Sequence, residues 1–451
     1  NPSMLGRAAG AAGAAGAAGV GAAVAPSPAP GNGALLPAND AAVVRVAWER
    51  IKAVSRGEQE TIYARLGVDV EERPESTYTG GLGDVVAELS DKGIAKVSEG
   101  ATCVFPINVG AKQTRAKKKK KKKKKQDASG TNPVGAKEEA DEGVETCPPM
   151  IIQKGDGAYL YATVDLAAAK ERLETLEADW LVYVTDQGQS LHFQQIFEAV
   201  QRAGWGRRGG SGGTEDAAAE ASSPQLDHVG FGVVRAAGSE GKGKLSSRDG
   251  NALGLGALLD EACSSAKGAL RIEDRPLVVA EEETGESMML SEAVGISAIR
   301  YYDLRAGRKS YELDFDKMLA FRGHTSVYLQ YALTRARSIR RNAQAAPAMA
   351  PWKGQEEGPA SRHCFPTQVE RDLALLLARF EDVAALSAEK LAPHVLCEFL
   401  FEIAQKFHSF YEECPVSGSV HFEERLQLLL ACERVLEDGM GLLGVVPVES
   451  M

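Results

Sequence analysis

The chain has no CxxC pair, and its seven cysteines (Cys103, Cys147, Cys263, Cys364, Cys397, Cys414 and Cys432) are odd in number and widely scattered. That spacing excludes a zinc ribbon or finger and argues against a disulfide framework, so reduced thiols in a cytosolic or organellar compartment are expected. No run of 18 or more strongly apolar residues occurs, and no membrane span is predicted. Zinc-protease and kinase signatures are absent, which leaves no metal-site prediction. The first 37 residues hold no acid and one arginine in an Ala, Gly and Pro background. An acid-poor leader would suit organelle targeting, but one arginine is weak support for it, and disordered low complexity is the favoured reading.

What is present is an ordinary mixture, 44% hydrophobic and 25% charged over 451 residues with a net charge of -10. At roughly 150 residues per domain, about three domains are expected. The negative balance excludes wholesale coating of nucleic acid, so any contact with phosphate must come from local basic patches. One such patch is the run of nine lysines, Lys117 to Lys125. Its self-repulsion makes residues 111–146 a solvated insertion, with nucleic-acid recruitment as the sharper alternative. Residues 204–224 and 342–361 are also linker-like in composition.

The patterned blocks between these insertions change character along the chain. AVVRVAWERIKAVSRGEQETIYARLGV places Val44, Trp48, Ile51, Ile62 and Leu66 at helical spacing. MIIQ, then DLAAAKERLETLEA, then WLVYVTD read as strand, helix, strand, which predicts a right-handed βαβ unit in a parallel sheet. DHVGFGVV is a further buried-strand candidate. Near the end, Leu373, Leu376, Leu377, Phe380 and Val383 form one helical stripe, and Leu396, Phe399, Leu400, Ile403, Phe407 and Phe410 another, so a helical bundle is expected there.

Four constellations could carry chemistry. In DGAYLYATVDLAAAKERL, Tyr161 and Asp165 stand four apart at a strand-to-helix transition; Asp165 could cap the helix, or a carboxylate and a phenol could line a ligand crevice at the strand's end. VTDQGQSLHFQQIF gathers Asp186, Gln187, Gln189, His192, Gln194 and Gln195 after an apolar strand, a polar cluster suited to binding, with no second His at metal-ligand spacing. GKGKLSSRDGN offers Lys244, Ser246, Ser247 and Arg248 in a Gly-bounded loop, able to donate to phosphate oxygens or to be a solvated turn. HTSVYLQYALTRARSIRR sets Tyr328, Tyr331 and Arg335 on one helical face. They could offer rings for base stacking and a guanidinium for phosphate, or be half-buried bundle residues.

Together with RPESTY, AVGISAIRYYDL, LCEFLFEIAQKFHSFYEECPV and GLLGVVPVESM, these blocks run collinearly from about Ala47 to Met451. The ordered set resembles the arginyl-tRNA synthetases, class I aminoacyl-tRNA synthetases. The resemblance implies an α/β fold followed by an all-α one: a partial Rossmann-type class I catalytic domain plus a helical-bundle anticodon-binding domain. The expected layout is low complexity at 1–42, the second part of the catalytic domain at 43–270 with insertions at 111–146 and 204–224, a connecting segment at 271–322, and the helical domain at 323–451 with an insertion at 342–361.

It also implies a reaction, in which arginine and ATP form arginyl-adenylate and pyrophosphate, and the terminal adenosine of tRNA-Arg is then esterified; Mg2+ accompanies the ATP. By resemblance Tyr161, Asp165 and Gln189 read the arginine side chain, and His228 and Gly230 form an adenine-side wall for ATP. KLSSR stands where the class I KMSKS loop belongs, so Lys244, Ser246 and Arg248 are the catalytic candidates, Lys244 also binding ATP; Ser247 replaces the second lysine of the consensus. Tyr328, Tyr331, Arg335, Tyr411 and Met451 are the implied tRNA contacts. A monomer in the cytoplasm, or in a mitochondrion or plastid, is expected.

One departure is large. No HxGH occurs, and HVGF at His228 belongs to a different block. The family's HIGH histidines oppose the KMSKS loop across the phosphates, and losing such donors costs roughly 2.7 to 4 kcal/mol each. The expectation is therefore a carboxyl-terminal portion of the synthetase, inactive alone, with a non-catalytic tRNA-binding or assembly module as the alternative.

Overall fold

The computed structural model describes residues 38–107, 147–208, 222–236, 254–270, 276–277, 288–345 and 365–449. In chain order the main elements begin with α1 (Ala38–Arg65), α2 (Leu82–Asp91), β1 (Ala95–Ser98), β2 (Ala101–Val104), β3 (Met150–Gln153) and α3 (Tyr161–Lys170). Next come β4 (Trp180–Asp186), α4 (Ser190–Ala203), β5 (Gln225–Phe231), β6 (Val234–Ala236) and α5 (Leu255–Leu270). β7 (Pro276–Leu277), β8 (Met288–Met289), α6 (Leu290–Ala306) and β9 (Tyr311–Leu313) follow. The chain closes with α7 (Ser326–Ala345), α8 (Gln368–Leu377), α9 (Phe380–Glu389), α10 (Pro393–Glu413) and α11 (Phe422–Leu442). These elements form two compact units, one drawing on residues 72–178 and 195–223, the other on 36–71, 179–194 and 224–451.

In the first unit β1, β2 and β3 make an antiparallel sheet. MIIQ therefore pairs within this sheet, while WLVYVTD pairs in parallel with β5 in a separate one. The expected βαβ unit from MIIQ to WLVYVTD does not form. A four-residue apolar run specifies a buried strand and leaves its partner open; the parallel pair is β4 with β5, whose connection runs through α4. A second correction concerns the insertion expected at 204–224. Trp205 is 1% exposed, and its indole N–H donates to Glu88 Oε1 at 2.8 Å. Lys92 and Lys170 reach the same carboxylate at 2.6 and 2.5 Å. Burial alone would raise the Glu88 carboxyl, but these donors hold it down at about 2. A bulky ring in a Gly-rich setting anchors the end of α4, and Arg208 forms an isolated antiparallel bridge with Ser222.

In the second unit α7, α8, α10 and α11 surround one core with Tyr301 of α6. Both predicted stripes are in it, although the first is divided between α8 and α9 at Ala378 and Arg379. Thr367 and Glu370 form a capping box at the start of α8. The Glu370 carboxylate, wholly buried, also accepts from Arg425 Nε at 2.6 Å. α7 runs on to Ala345 and buries Ala343 in the core, so residues 342–345, expected to open an insertion, are helical. α1 forms as the spacing predicts, yet Val44, Trp48 and Ile51 stay exposed. Helical period decided the element and not its covering.

Candidate functional site

The parallel pair β4 and β5 builds the first part of the site. At its carboxyl end the Asp186 carboxylate accepts the Gly188 backbone N–H at 2.7 Å and caps the 3-10 turn Gln187–Gln189. That turn lies directly on Gly230: a Cβ there would come within 2.2 Å of Gln187 Oε1 and 2.9 Å of its Cα. Gly232 is equally constrained, since its Cβ would meet the Lys309 carbonyl oxygen at 2.2 Å. The two glycines of HVGFG thus let backbone approach backbone. His228 shares a hydrogen bond of 2.8 Å between its Nε2 and Thr185 Oγ1, and Phe193 stacks on it at 5.0 Å. Burial, then the charge of Arg308, lower its pKa and favour the neutral ring.

The glutamine-rich cluster after β4 disperses. Gln189 is exposed on the capped turn, whereas Gln195 is buried and donates to the Pro148 carbonyl at 2.7 Å. The opposite face of the strands, with Val182, Val184, Val229 and Phe231, borders a mainly apolar cavity of about 950 Å³ that also meets Asp303, Arg308 and His394.

The arginine-side candidates are divided between the units: Tyr161 and Asp165 belong to the first and Gln189 to the second. Tyr161 opens α3 and is 75% exposed. Asp165, half-buried, is one turn further on, inside the helix, and the N-cap position is held by Leu160. The capping reading of Asp165 therefore fails, because its carboxylate is past the first-turn amides that a cap satisfies. Lys244, Ser246, Arg248 and Met451 lie outside the described residues.

In the helical part the expected tyrosines are brought together, and with company. His324 stacks on Phe401 at 4.5 Å, Phe401 meets Tyr328 at 5.5 Å, and Tyr328 and Tyr331 lie nearly parallel to His408 at 5.0 and 5.9 Å. This row begins at buried Tyr301, which touches His324 edge-on, and reaches the surface at Tyr331, 39% exposed. Its inner end is fixed by one acceptor, the Cys397 carbonyl, 3.0 Å from both Tyr301 Oη and His324 Nε2. Burial lowers the His324 pKa despite that bond. Arg335 lies over the Tyr411 ring at 4.3 Å, a cation–π pairing.

The other arginines of this helix are structural. Arg337 is buried and contacts Glu433, Glu437 and Glu449 at 3.6, 2.9 and 2.8 Å, and Arg340 pairs with Glu433. Arg337 also donates to the Val448 carbonyl, and Gln330 to that of Val446. They pin the last described residues against α7. Sequence reasoning missed His324, Phe401 and His408. The available signal was the spacing on LCEFLFEIAQKFHSFYEE, where Phe401, His408 and Tyr411 are seven and three apart and so share a face.

Comparison with known proteins defines the class first. Residues 34–315 match the family described as tRNA synthetases class I (R), catalytic domain, and residues 329–451 match the DALR anticodon binding domain. The chain is 36% identical over 411 residues to an arginine–tRNA ligase of Cyanothece sp. and, likewise over 411 residues, 36% identical to one of Pseudomonas syringae pv. syringae. Each alignment takes in 90% of this chain and 60% of the relative. Among solved structures, arginyl-tRNA synthetase of Plasmodium falciparum superposes with a TM-score of 0.63 at 25% identity, covering 90% of this chain and 59% of that one. The Thermus thermophilus arginyl-tRNA synthetase has the same fold, with a TM-score of 0.60 at 21% identity over 87% of this chain and 62% of its own. The chain belongs to the arginine family of class I tRNA synthetases, and it spans about 60% of the length of the curated relatives it matches.

Proposed function

We propose that this chain serves arginine–tRNA ligation, supplying the arginine-reading groups, the KMSKS-type loop and the anticodon-binding domain. The observation that carries the reading is the unbroken order of the two domain matches along the chain, with every candidate residue inside the blocks that bear the resemblance. The catalytic part is assigned to residues 43–270, joined by 271–322 to the anticodon-binding part at 323–451.

In this reading the substrate guanidinium is bound by the carboxylate of Asp165, the group able to pair with it in bidentate geometry, with Tyr161 and Gln189 completing the recognition. His228 and the strand end at Gly230 stand on the adenine side, where burial favours the uncharged form of the imidazole. Lys244, Ser246 and Arg248 meet the phosphates. The substrate carboxylate attacks the α-phosphorus and pyrophosphate departs; a hydroxyl of the terminal adenosine of tRNA-Arg then attacks the adenylate carbonyl, and AMP leaves. In this reading Mg2+ accompanies the ATP. Tyr328, Tyr331, Arg335, Tyr411 and Met451 hold the tRNA. The protein acts as a monomer wherever tRNA-Arg is charged, the cytoplasm first.

Because the sequence contains no HxGH, the chain by itself is expected to bind tRNA-Arg in a salt-dependent way and to give no arginine-dependent ATP–pyrophosphate exchange. Robust exchange by the purified chain would overturn the role given to the missing histidines. Where exchange is restored by adding an HxGH-bearing segment, Asp165→Ala is expected to raise the arginine KM sharply. An unchanged KM would remove Asp165 from the site.

A further inference from the structure

His408 is held in one tautomer. Its Nδ1 is 2.7 Å from the Ala404 carbonyl, one turn earlier on α10, and a carbonyl can only accept, so Nδ1 carries the proton and donates. The Tyr328 hydroxyl, 3.3 Å from the same nitrogen, then finds no lone pair there and keeps its own proton for another partner. In the neutral ring the lone pair sits on Nε2. Among the described residues Nε2 has no hydrogen-bond partner. The ring is half-buried, and Tyr328 and Tyr331 fix its plane from α7. An oriented, unused acceptor beside an exposed aromatic face is the arrangement that reads an N–H on a base edge while the base stacks.

We propose that His408 is a specificity-determining residue of the tRNA-binding face, its Nε2 accepting from an amino or imino N–H of an unpaired base that stacks on Tyr331. The proposal deepens the assignment of this domain to tRNA binding and rests on it. Tyr331 gives stacking that any base can satisfy, whereas the histidine acceptor rejects a base edge that offers only a lone pair. The fixed tautomer matters here, because the opposite one would present a donor at the same point and invert the preference.

The test measures binding of a tRNA-Arg transcript to the full chain at pH 8 and constant salt. His408→Asn keeps an amide N–H for the Ala404 carbonyl and removes the Nε2 acceptor; it should weaken binding about tenfold, the worth of one such hydrogen bond. His408→Gln, whose amide oxygen reaches the Nε2 position, should stay within about threefold of the parent chain. Transcripts in which each anticodon-loop base is replaced in turn by an analogue lacking its exocyclic amino or imino hydrogen supply the second readout. One replacement should weaken binding to the parent chain and have no further effect on His408→Asn, which is the coupling expected of a direct contact.

Parent-like binding by His408→Asn, or analogue effects that are the same in both proteins, would overturn the proposal. Tyr331→Ala separates the two levels. If it weakens binding while His408→Asn does not, the acceptor role falls and the tRNA-binding face stands. If neither substitution matters, both fall.

Discussion

The helical bundle and the parallel strand pair treat their apolar residues in opposite ways. Along α8, α10 and α11, stripes such as Leu396, Leu400, Ile403 and Phe407 lie in one shared core. Along β4 and β5, Val182, Val184 and Phe231 remain exposed, Val184 at 62%. A helix buries its stripe against neighbours that follow closely in sequence, so a local period almost suffices. A parallel strand needs a layer on each face, and those layers come from distant parts of a chain. Equal hydrophobicity therefore has unequal consequences for stability in the two regions.

The comparison can be broken most directly in the bundle. Removing a buried ring with Phe407→Ala should cost about 3–5 kcal/mol in denaturant unfolding; a loss under about 1 kcal/mol would mean the core is not close-packed. Glu370→Ala should cost a similar amount, roughly 3–5 kcal/mol, because Arg425 is left buried without its partner. The same pair gives a pH test. Burial alone would raise the Glu370 carboxyl, but the Thr367 N–H and Arg425 outweigh it and depress the pKa. Its stabilisation is thus complete above the ordinary carboxylate range and is lost as pH falls through the depressed value. Hydrogen-exchange protection factors at the start of α8 should fall in acid, and Glu370→Gln should abolish that dependence.

At the strand end, Gly232→Ala forces a methyl against the Lys309 backbone and should cost about 1–3 kcal/mol. Smaller still is Gly441→Ala in α11, where a Cβ meets nothing within 4 Å; helix propensity should stabilise the protein by roughly 0.5–1 kcal/mol. Last comes Val184→Ala, expected to change stability by less than about 0.5 kcal/mol. A large loss there would show that the exposed strand face is covered in solution.

Sequence reading was strongest where the pattern was long. The stripe of α10 forms on one helix and lies in the core, while the other is shared by α8 and α9 across Ala378 and Arg379; a long period specifies a helical face, and packing decides where the helix breaks. It was weakest for short or solitary signals. The order of MIIQ and WLVYVTD predicts a parallel pair, and MIIQ pairs antiparallel with β2 instead. The glycines and arginines around Trp205 suggest a linker, yet its ring is in the core. Spacing alone allows Asp165 to cap a helix, but the helix begins four residues earlier, at Tyr161.

The site divides along the same line. The ordered motifs sufficed for family membership, because many short blocks in fixed order constrain one another even when each alone is weak. The sequence also set Tyr328, Tyr331 and Arg335 on one face, by helical spacing alone. Only the tertiary structure joined residues from distant segments: Arg335 to Tyr411, Glu370 to Arg425, Arg337 to three glutamates, and His408 to two tyrosines. The reason is physical. A local period fixes which way a side chain leaves its own helix, whereas its partner, its burial and its protonated nitrogen depend on what another helix brings within about 3 Å, the hydrogen-bonding range.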